Sequence, residues 1–258
     1  MKVTALGSGS KGNCMLIEGE SGSLLVDAGL AAREIQTRLA LVGADPGSIE
    51  AILVTHEHTD HIRGLDVMAR RFDLPIIATG GTLAEFFLHR KVSKKTVTTI
   101  TCHPGTTLEI GDFSIEPFSI SHDAQDPCGY CIEEKSSRLG YCTDTGVLSG
   151  EVIELFRRCD GLVLESNHCP QMLEDGPYPA MLKRRIRSRR GHLSNEQASA
   201  CLQLLGHDIG AVMLAHLSET NNTPAIAEEC ARVALGLFVD DVALQVALQE
   251  TISAPMEI

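Results

Sequence analysis

Short apolar runs that end in glycine, aspartate or histidine recur along the chain and predict β-strands. Most are fully apolar or alternate apolar with polar residues, and all are shorter than a typical helix. The predicted strands cover residues 2–6, 14–18, 23–27, 51–55, 76–79, 107–110, 113–121, 130–133, 139–143, 161–165 and 211–215. Because these strands are spread over most of the chain, we expect β-sheet to form much of the core.

Helical spacing of apolar residues follows several of the predicted strands. Helices are predicted after Gly29 and after His61, and then over residues 151–159, 179–190, 195–205 and 224–235. Strands mixed with helices predict a layered α/β or α+β fold. No low-complexity linker or short-period repeat divides the sequence, so we predict a single domain spanning residues 1–258.

A glycine-rich motif, GSGSKG at residues 7–12, follows the first predicted strand and has the spacing of a dinucleotide-binding turn. Such a turn requires a helix at its last glycine, because the helix N-terminus holds the pyrophosphate. Two short apolar runs separated by a turn follow instead. We therefore predict a loop between two strands, whose backbone amides could still approach a phosphate.

The composition is that of a globular protein, with 258 residues, 43% of them hydrophobic and 22% charged. The N-terminus lacks a signal-peptide pattern, and no apolar run approaches the roughly 20 residues of a membrane span, so we expect no membrane association and a cytoplasmic protein. Nine cysteines, mostly within apolar runs, are typical of reduced buried thiols. Cys128 and Cys131 have C-x-x-C spacing, but the alternating pattern there favours a strand over a zinc or redox site.

The densest cluster of potential metal ligands is THEHTDH, residues 55–61, at the end of a predicted buried strand. Extended geometry puts His56 and His58 on one side, and the turn into a helix places Asp60 and His61 nearby. Imidazole and carboxylate ligands favour zinc, with manganese or iron as alternatives. The motif predicts two divalent metal ions, and the alternatives are a single closed zinc site or a surface histidine cluster.

This motif resembles the H-x-H-x-D-H signature of the metallo-β-lactamase-fold hydrolases. Residues 25–29 resemble the first motif of the same hydrolases, an aspartate that ends an upstream strand. Further stretches are similar to the YycJ/WalJ-like subfamily, namely residues 7–13, 121–124, 143–146, 165–168, 191–196 and 215–218. The resemblance implies an αββα four-layer sandwich with the site at one edge. Cys169 departs from the subfamily, which commonly has Asp after the histidine of the ESNH stretch. The resemblance is therefore weaker evidence for a chemical role of the residues around position 169.

The resemblance also implies a set of seven metal ligands. They are His56, His58 and His122 for one ion, Asp60, His61 and His216 for the second, and Asp144 as a bridge. The ligands His122, Asp144 and His216 end predicted strands, as does His103, and we prefer His122 to His103 chiefly on the resemblance. Asp27 is expected to orient a ligand, with a helix cap as the alternative.

Members of the subfamily are regarded as bacterial DNA exonucleases, so the resemblance implies a dinuclear phosphodiesterase acting on nucleic acid, with DNA favoured over RNA. We expect digestion in the 5′ to 3′ direction. A water between the metal ions would attack phosphorus, with Asp60 and Asp144 in the catalytic centre. The alternatives are a small-molecule phosphodiesterase and a thioester hydrolase of the glyoxalase type. A homodimer is compatible with the sequence.

Several further residues are expected to contact the substrate. His192 lies in GHLS, which resembles the G-H-x-S segment whose histidine meets the scissile phosphate; it could instead flank the next helix. The other three residues lie in stretches that match the subfamily and are Ser8, Ser10 and His168.

The net charge of −12 opposes nucleic-acid binding, but one segment of the chain is strongly basic. Residues 183–190, KRRIRSRR, carry six of the 22 basic side chains immediately before His192. At helical spacing Arg185 and Arg189 share one face, which suits a track for a phosphate backbone. A solvated surface helix paired with acidic residues is the alternative.

Overall fold

Two β-sheets pack face to face in the computed structural model of the chain, which describes residues 1–90 and 96–258 except for the side chain of residue 207. The first sheet contains, in spatial order, β14 (Met256–Glu257), β1 (Lys2–Gly7), β2 (Cys14–Glu18), β3 (Ser23–Val26), β4 (Ile49–Leu53), β5 (Ile76–Thr79) and β6 (Thr99–Cys102). The second contains β13 (Ala243–Val246), β12 (Ala211–Ala215), β11 (Gly161–Glu165), β10 (Ser137–Cys142), β9 (Cys128–Glu134), β8 (Phe113–Ser119) and β7 (Leu108–Ile110).

Both sheets are mixed, and they are built alike. In the first, β1, β2 and β3 are antiparallel neighbours and β3 to β6 run parallel. In the second, β7 to β10 are antiparallel and β10 to β13 run parallel. Parallel strands direct their carboxyl ends to one edge of a sheet, where the following loops can form a site.

Helices cover the outer face of each sheet. Those before residue 90 are α1 (Ala32–Leu41), α2 (Thr59–Ile62), α3 (Leu65–Phe72) and α4 (Gly80–His89), and the later ones are α5 (Gly150–Phe156), α6 (Pro170–Asp175), α7 (Ala180–Ile186), α8 (Asn195–Leu205) and α9 (Pro224–Leu235). One core cluster joins α1, α3 and α4 to the first sheet, a second joins α5, α8 and α9 to the second sheet, and a third fills the space between the sheets. This arrangement confirms the predicted αββα sandwich.

The glycine-rich motif is a loop, as predicted. It connects β1 to β2, which pair as antiparallel neighbours, so no helix begins at Gly12. The strand interpretation of Cys128 and Cys131 is also confirmed, because Cys128 faces the core between the sheets and Cys131 the outer core. Both thiols are buried and free. None of the helices in the described ranges combines the length and the apolar character that crossing a membrane requires.

The predicted helix over residues 179–190 is too long. Helix α7 ends at Ile186, where the backbone folds back and the N–H of His192 donates to the carbonyl of Ile186 at 2.9 Å. Gly191 allows this close approach, since a Cβ there would lie 2.1 Å from the same carbonyl oxygen. Arg189 therefore lies beyond the helix, and the prediction that it shares a helical face with Arg185 is wrong.

Candidate metal centre

The loops after β4, β8, β10 and β12 bring the seven predicted ligands together at one edge of the sandwich. Potential ligand atoms of His56, His58 and His122 lie within 4.8 Å of one another, and the same holds for Asp60, His61 and His216. Asp144 lies between the two triads: its Oδ2 is 3.2 Å from His61 Nε2 and its Oδ1 is 3.8 Å from His122 Nε2.

The inward-facing atoms of this cluster fit metal ions. His56 Nε2, Asp144 Oδ2 and His216 Nε2 are buried without a hydrogen-bond partner. Unpaired polar atoms in the interior are costly, whereas a bound cation would satisfy them. Imidazole nitrogen and carboxylate oxygen are ligands that suit zinc. The cluster is therefore compatible with two metal ions.

Two loops of the first sheet hold the short helix α2, which carries Asp60 and His61. The N–H of Asn13, at the end of the glycine-rich loop, donates to the carbonyl of Asp60 at 2.8 Å. Gly29 lies against the same carbonyl, and a Cβ there would be only 1.6 Å from the oxygen. Any larger residue at position 29 would displace the ligand helix.

Asp27 is buried beneath the ligands and receives three kinds of hydrogen bond. His61 Nδ1 donates to its Oδ2 at 2.7 Å, and the N–H of Thr55 donates to its Oδ1 at 2.9 Å. The Thr55 hydroxyl lies 3.0 Å from Oδ2 and also 3.0 Å from His56 Nδ1. The hydroxyl hydrogen goes to the carboxylate, so Thr55 accepts from His56. Both imidazoles are thereby held with Nε2 directed at the metal centre.

Glu165, which ends β11, is a residue that sequence analysis did not assign a role. Its Oε1 accepts from Nδ1 of His192 at 2.8 Å and from Nδ1 of His216 at 2.9 Å. Its Oε2 accepts from two backbone N–H groups, those of Thr145 and Leu193. A single acidic residue at the end of a fully buried apolar strand was the signal available in the sequence, since a buried carboxylate needs partners.

The charges of the cluster shift several pKa values. Burial lowers the pKa of His56 well below its usual range. Burial would raise the pKa of Asp144, but His216 and His61 outweigh it and hold this pKa well below its usual range. Burial likewise opposes ionisation of Glu165, yet His192 brings the pKa of Glu165 down to about 2. A neutral His56 and an ionised Asp144 are the protonation states that bind metal.

Three of the site residues adopt the left-handed backbone conformation. Asp27, Asp144 and His216 have φ of 61°, 57° and 55°. Each follows the end of a strand, and such conformations cost about 1 to 3 kcal/mol in non-glycine residues unless the surroundings enforce them. The strained turns direct these side chains into the site at the sheet edge.

A cleft of about 280 Å³ opens above the cluster. Three of the residues predicted to contact the substrate line it together with several ligands, namely Ser10, Arg185 and His192. His192 is 20% exposed there, and Glu165 raises the pKa of its ring against the effect of burial. Arg185 forms an ion pair with Asp123, the residue after His122, at 2.5 Å.

Other predicted site residues lie outside the cleft. Ser8 is buried, and its hydroxyl accepts from the N–H of His216 at 2.8 Å. His168 is buried with Nδ1 unpartnered, and burial lowers its pKa to about 4. Arg189 is exposed in the turn beyond α7, and Cys169 precedes α6 outside the ligand groups found among the described residues.

His122 is the ligand that the basic segment supports. Its Nδ1 donates to the carbonyl of Gly191 at 3.1 Å, and Arg190 donates back to the His122 carbonyl at 3.0 Å. His103, the rival histidine, is exposed and belongs to none of the groups of ligands in the described ranges.

Comparison with known proteins places this chain in a family. A family model described as the beta-lactamase superfamily domain matches residues 23–217. The chain is 37% identical to the exodeoxyribonuclease WalJ of Streptococcus pneumoniae over 93% of its length and 91% of that protein. It is 35% identical to the exodeoxyribonuclease YycJ of Bacillus anthracis over 88% of its length and 86% of that protein. The chain belongs to the WalJ/YycJ-like group of the metallo-β-lactamase superfamily.

Solved structures of this superfamily share the fold. The metallo-β-lactamase-fold protein YhfI from Bacillus subtilis superposes with a TM-score of 0.74 at 20% identity, covering 98% of this chain and 99% of that one. The zinc-bound PqqB from Methylobacterium extorquens gives 0.72 at 18% identity, with both chains covered completely.

Replacing Thr55 should weaken one metal site selectively. In Thr55→Val, His56 Nδ1 loses its acceptor while Asp27 keeps His61 and the backbone N–H of residue 55. We expect about a 10- to 100-fold loss of affinity for one of two metal equivalents. Titration against a competing chelator measures it. Thr55→Ser is the control and should bind both equivalents normally; equal behaviour of the valine and serine variants would contradict this role for Thr55.

Proposed function

We propose that the protein is a metal-dependent exodeoxyribonuclease that digests DNA in the 5′ to 3′ direction. The observation that carries the proposal is the pair of ligand triads around Asp144 at the floor of an open cleft. The names of the relatives support it, because both are exodeoxyribonucleases that match most of this chain.

Seven residues would hold two divalent cations, with zinc favoured by the histidine-rich donor set. They are His56, His58 and His122 for one ion, Asp60, His61 and His216 for the other, and Asp144 between them. Such a pair supplies Lewis-acid charge to a phosphodiester and lowers the pKa of an attacking water. Asp27 and Glu165 act on this centre through the imidazoles that they orient.

His192 is the residue best placed to meet the scissile phosphate. Its Nδ1 is committed to Glu165, and the ring lines the cleft beside His216 and Asp144. The other ring nitrogen is thus left for the substrate. There it donates a hydrogen bond to the phosphate or a proton to the leaving oxygen.

The basic segment gives a polyanion somewhere to bind on an acidic protein. Arg185 lines the cleft, and Arg189 is exposed in the turn that follows α7. Part of the segment's charge is already used, since Arg185 pairs with Asp123 and Arg187 with Glu174. The net charge of −12 is the observation that favours a small phosphodiester as a second candidate substrate.

Asp144→Asn should abolish nuclease activity. The amide cannot supply a charged oxygen to both triads, so we expect at least about a 100-fold loss of nucleotide release from linear DNA after metal reconstitution. Turnover above about a hundredth of wild type would contradict the assignment.

Wild-type protein should also cleave bis(p-nitrophenyl) phosphate, with zinc or manganese added. Cleavage of a thioester alone would favour a glyoxalase-type hydrolase.

His192→Ala should separate catalysis from metal binding. We expect the variant to keep its metal content and to lose about 100- to 10,000-fold in turnover, the range typical of a general acid. Metal content is measured by elemental analysis and turnover by nucleotide release. His103→Ala is the matched control and should behave as wild type. Loss of one metal equivalent in His192→Ala would make His192 a ligand instead.

The double variant Arg185→Ala, Arg189→Ala should lose activity on long DNA more than on bis(p-nitrophenyl) phosphate. The slope of log binding constant against log salt should become shallower by about one to two, because two phosphate contacts are lost. Arg157→Ala, Arg232→Ala removes the same charge from the residue after α5 and from α9, and it controls for the net charge. Equal losses on both substrates, or equal effects of the two double variants, would contradict a phosphate track.

A further inference from the structure

One wall of the cleft is apolar, although its floor is built from metal ligands. Tyr178, Leu182 and Ile186 line this wall. The sequence contains only three tyrosines and no tryptophan, and Tyr130 and Tyr141 are fully buried in the core. Tyr178 is half-buried and is the one Phe, Tyr or Trp among the described residues that line the cleft.

Helix α7 presents this wall together with a positive charge. Leu182, Arg185 and Ile186 are spaced at i, i+3 and i+4, so they share one face of the helix, and all three line the cleft. Tyr178 and the cationic Arg185 thus line the same cleft. This is the combination that a nucleotide requires, with its base on a ring and its phosphate beside a cation.

The backbone around Tyr178 is rigid. Pro177 and Pro179 flank it, and a residue before proline is confined to extended conformations. Gly176 packs against the Asn221 side chain, where a Cβ would lie 2.5 Å from Oδ1. Lys183 of α7 donates to the carbonyl of Glu174 near the end of α6, and Arg187, just after α7, pairs with the Glu174 carboxylate. The backbone that carries Tyr178 is therefore restrained before any ligand binds, which reduces the entropy lost on binding.

We propose that Tyr178, which lines the cleft together with Leu182 and Ile186, is the stacking surface for the nucleobase of the terminal nucleotide, with Arg185 on the adjoining phosphate. This inference rests on the proposed nuclease function and adds a base subsite to it. Stacking on an aromatic ring tolerates every base, so the subsite serves an exonuclease that digests DNA of any sequence.

The test compares Tyr178 variants on two single-stranded oligonucleotides. One is intact, and the other lacks the base of the nucleotide at the end from which the wild type starts. On the intact strand, kcat/KM should fall about 5- to 100-fold in Tyr178→Ala and Tyr178→Leu, while Tyr178→Phe and Tyr178→Trp stay near wild type. On the abasic strand, wild type and all variants should be equally slow.

The pattern separates stacking from other roles of Tyr178. A wall for an acyl chain would tolerate leucine, so wild-type activity of Tyr178→Leu overturns the proposal. Undiminished differences on the abasic strand also overturn it, because the effect would then not depend on the base. Met181→Ala is the matched control on the same helix, where Met181 is 76% exposed, and should match wild type. Failure of the wild type to digest DNA would instead refute the nuclease function itself.

Discussion

The hydrogen bonds of buried Asp27 are the interaction on which the metal centre depends. Asp27 is 0% exposed and binds His61 directly and His56 through the hydroxyl of Thr55, so one carboxylate orients a ligand from each triad. A buried carboxylate without such partners would cost several kcal/mol. The same contacts that make its burial tolerable therefore also fix which imidazole nitrogen faces the metal ions.

The second sheet repeats this solution with Glu165. Like Asp27, Glu165 is 0% exposed at the end of a strand, and it too orients two imidazoles, those of His192 and His216. Because each sheet has the same succession of antiparallel and parallel strands, each brings one such acid to the shared edge. Asp144 then joins the two halves through His61 and His216. Each of the two sheets thus supplies one buried acid, Asp27 or Glu165, that orients two imidazoles of the site.

The sequence predicted correctly those elements whose hydrophobic pattern lies within one short stretch of the chain. The apolar strands β2, β5, β11 and β12 and the helices α8 and α9 have the bounds that the sequence predicted. The sequence did not predict the role of Glu165, because that role depends on two histidines that follow it by 27 and 51 positions. Nothing in the sequence pointed to Tyr178, because only tertiary packing brings it to the cleft wall. The predicted helix 179–190 is longer than α7, because the chain folds back at Gly191 although the arginines before it favour a helix. The short edge strands β13 and β14 carry too little apolar pattern to be recognised.

The charge of the cleft is set locally, on a chain whose net charge is −12. Arg190 and Arg185 of the basic segment contact the loop that carries His122, Arg190 at the His122 carbonyl and Arg185 at Asp123. These contacts hold both arginines next to the metal centre. Pairing with Asp123 holds the Arg185 guanidinium at the cleft wall and partly neutralises it. A substrate phosphate would thus compete with a carboxylate for this arginine. The pair is weak because 58% of the Arg185 side chain is exposed, so a substrate phosphate can replace the carboxylate, the more so when its base also stacks on the apolar wall.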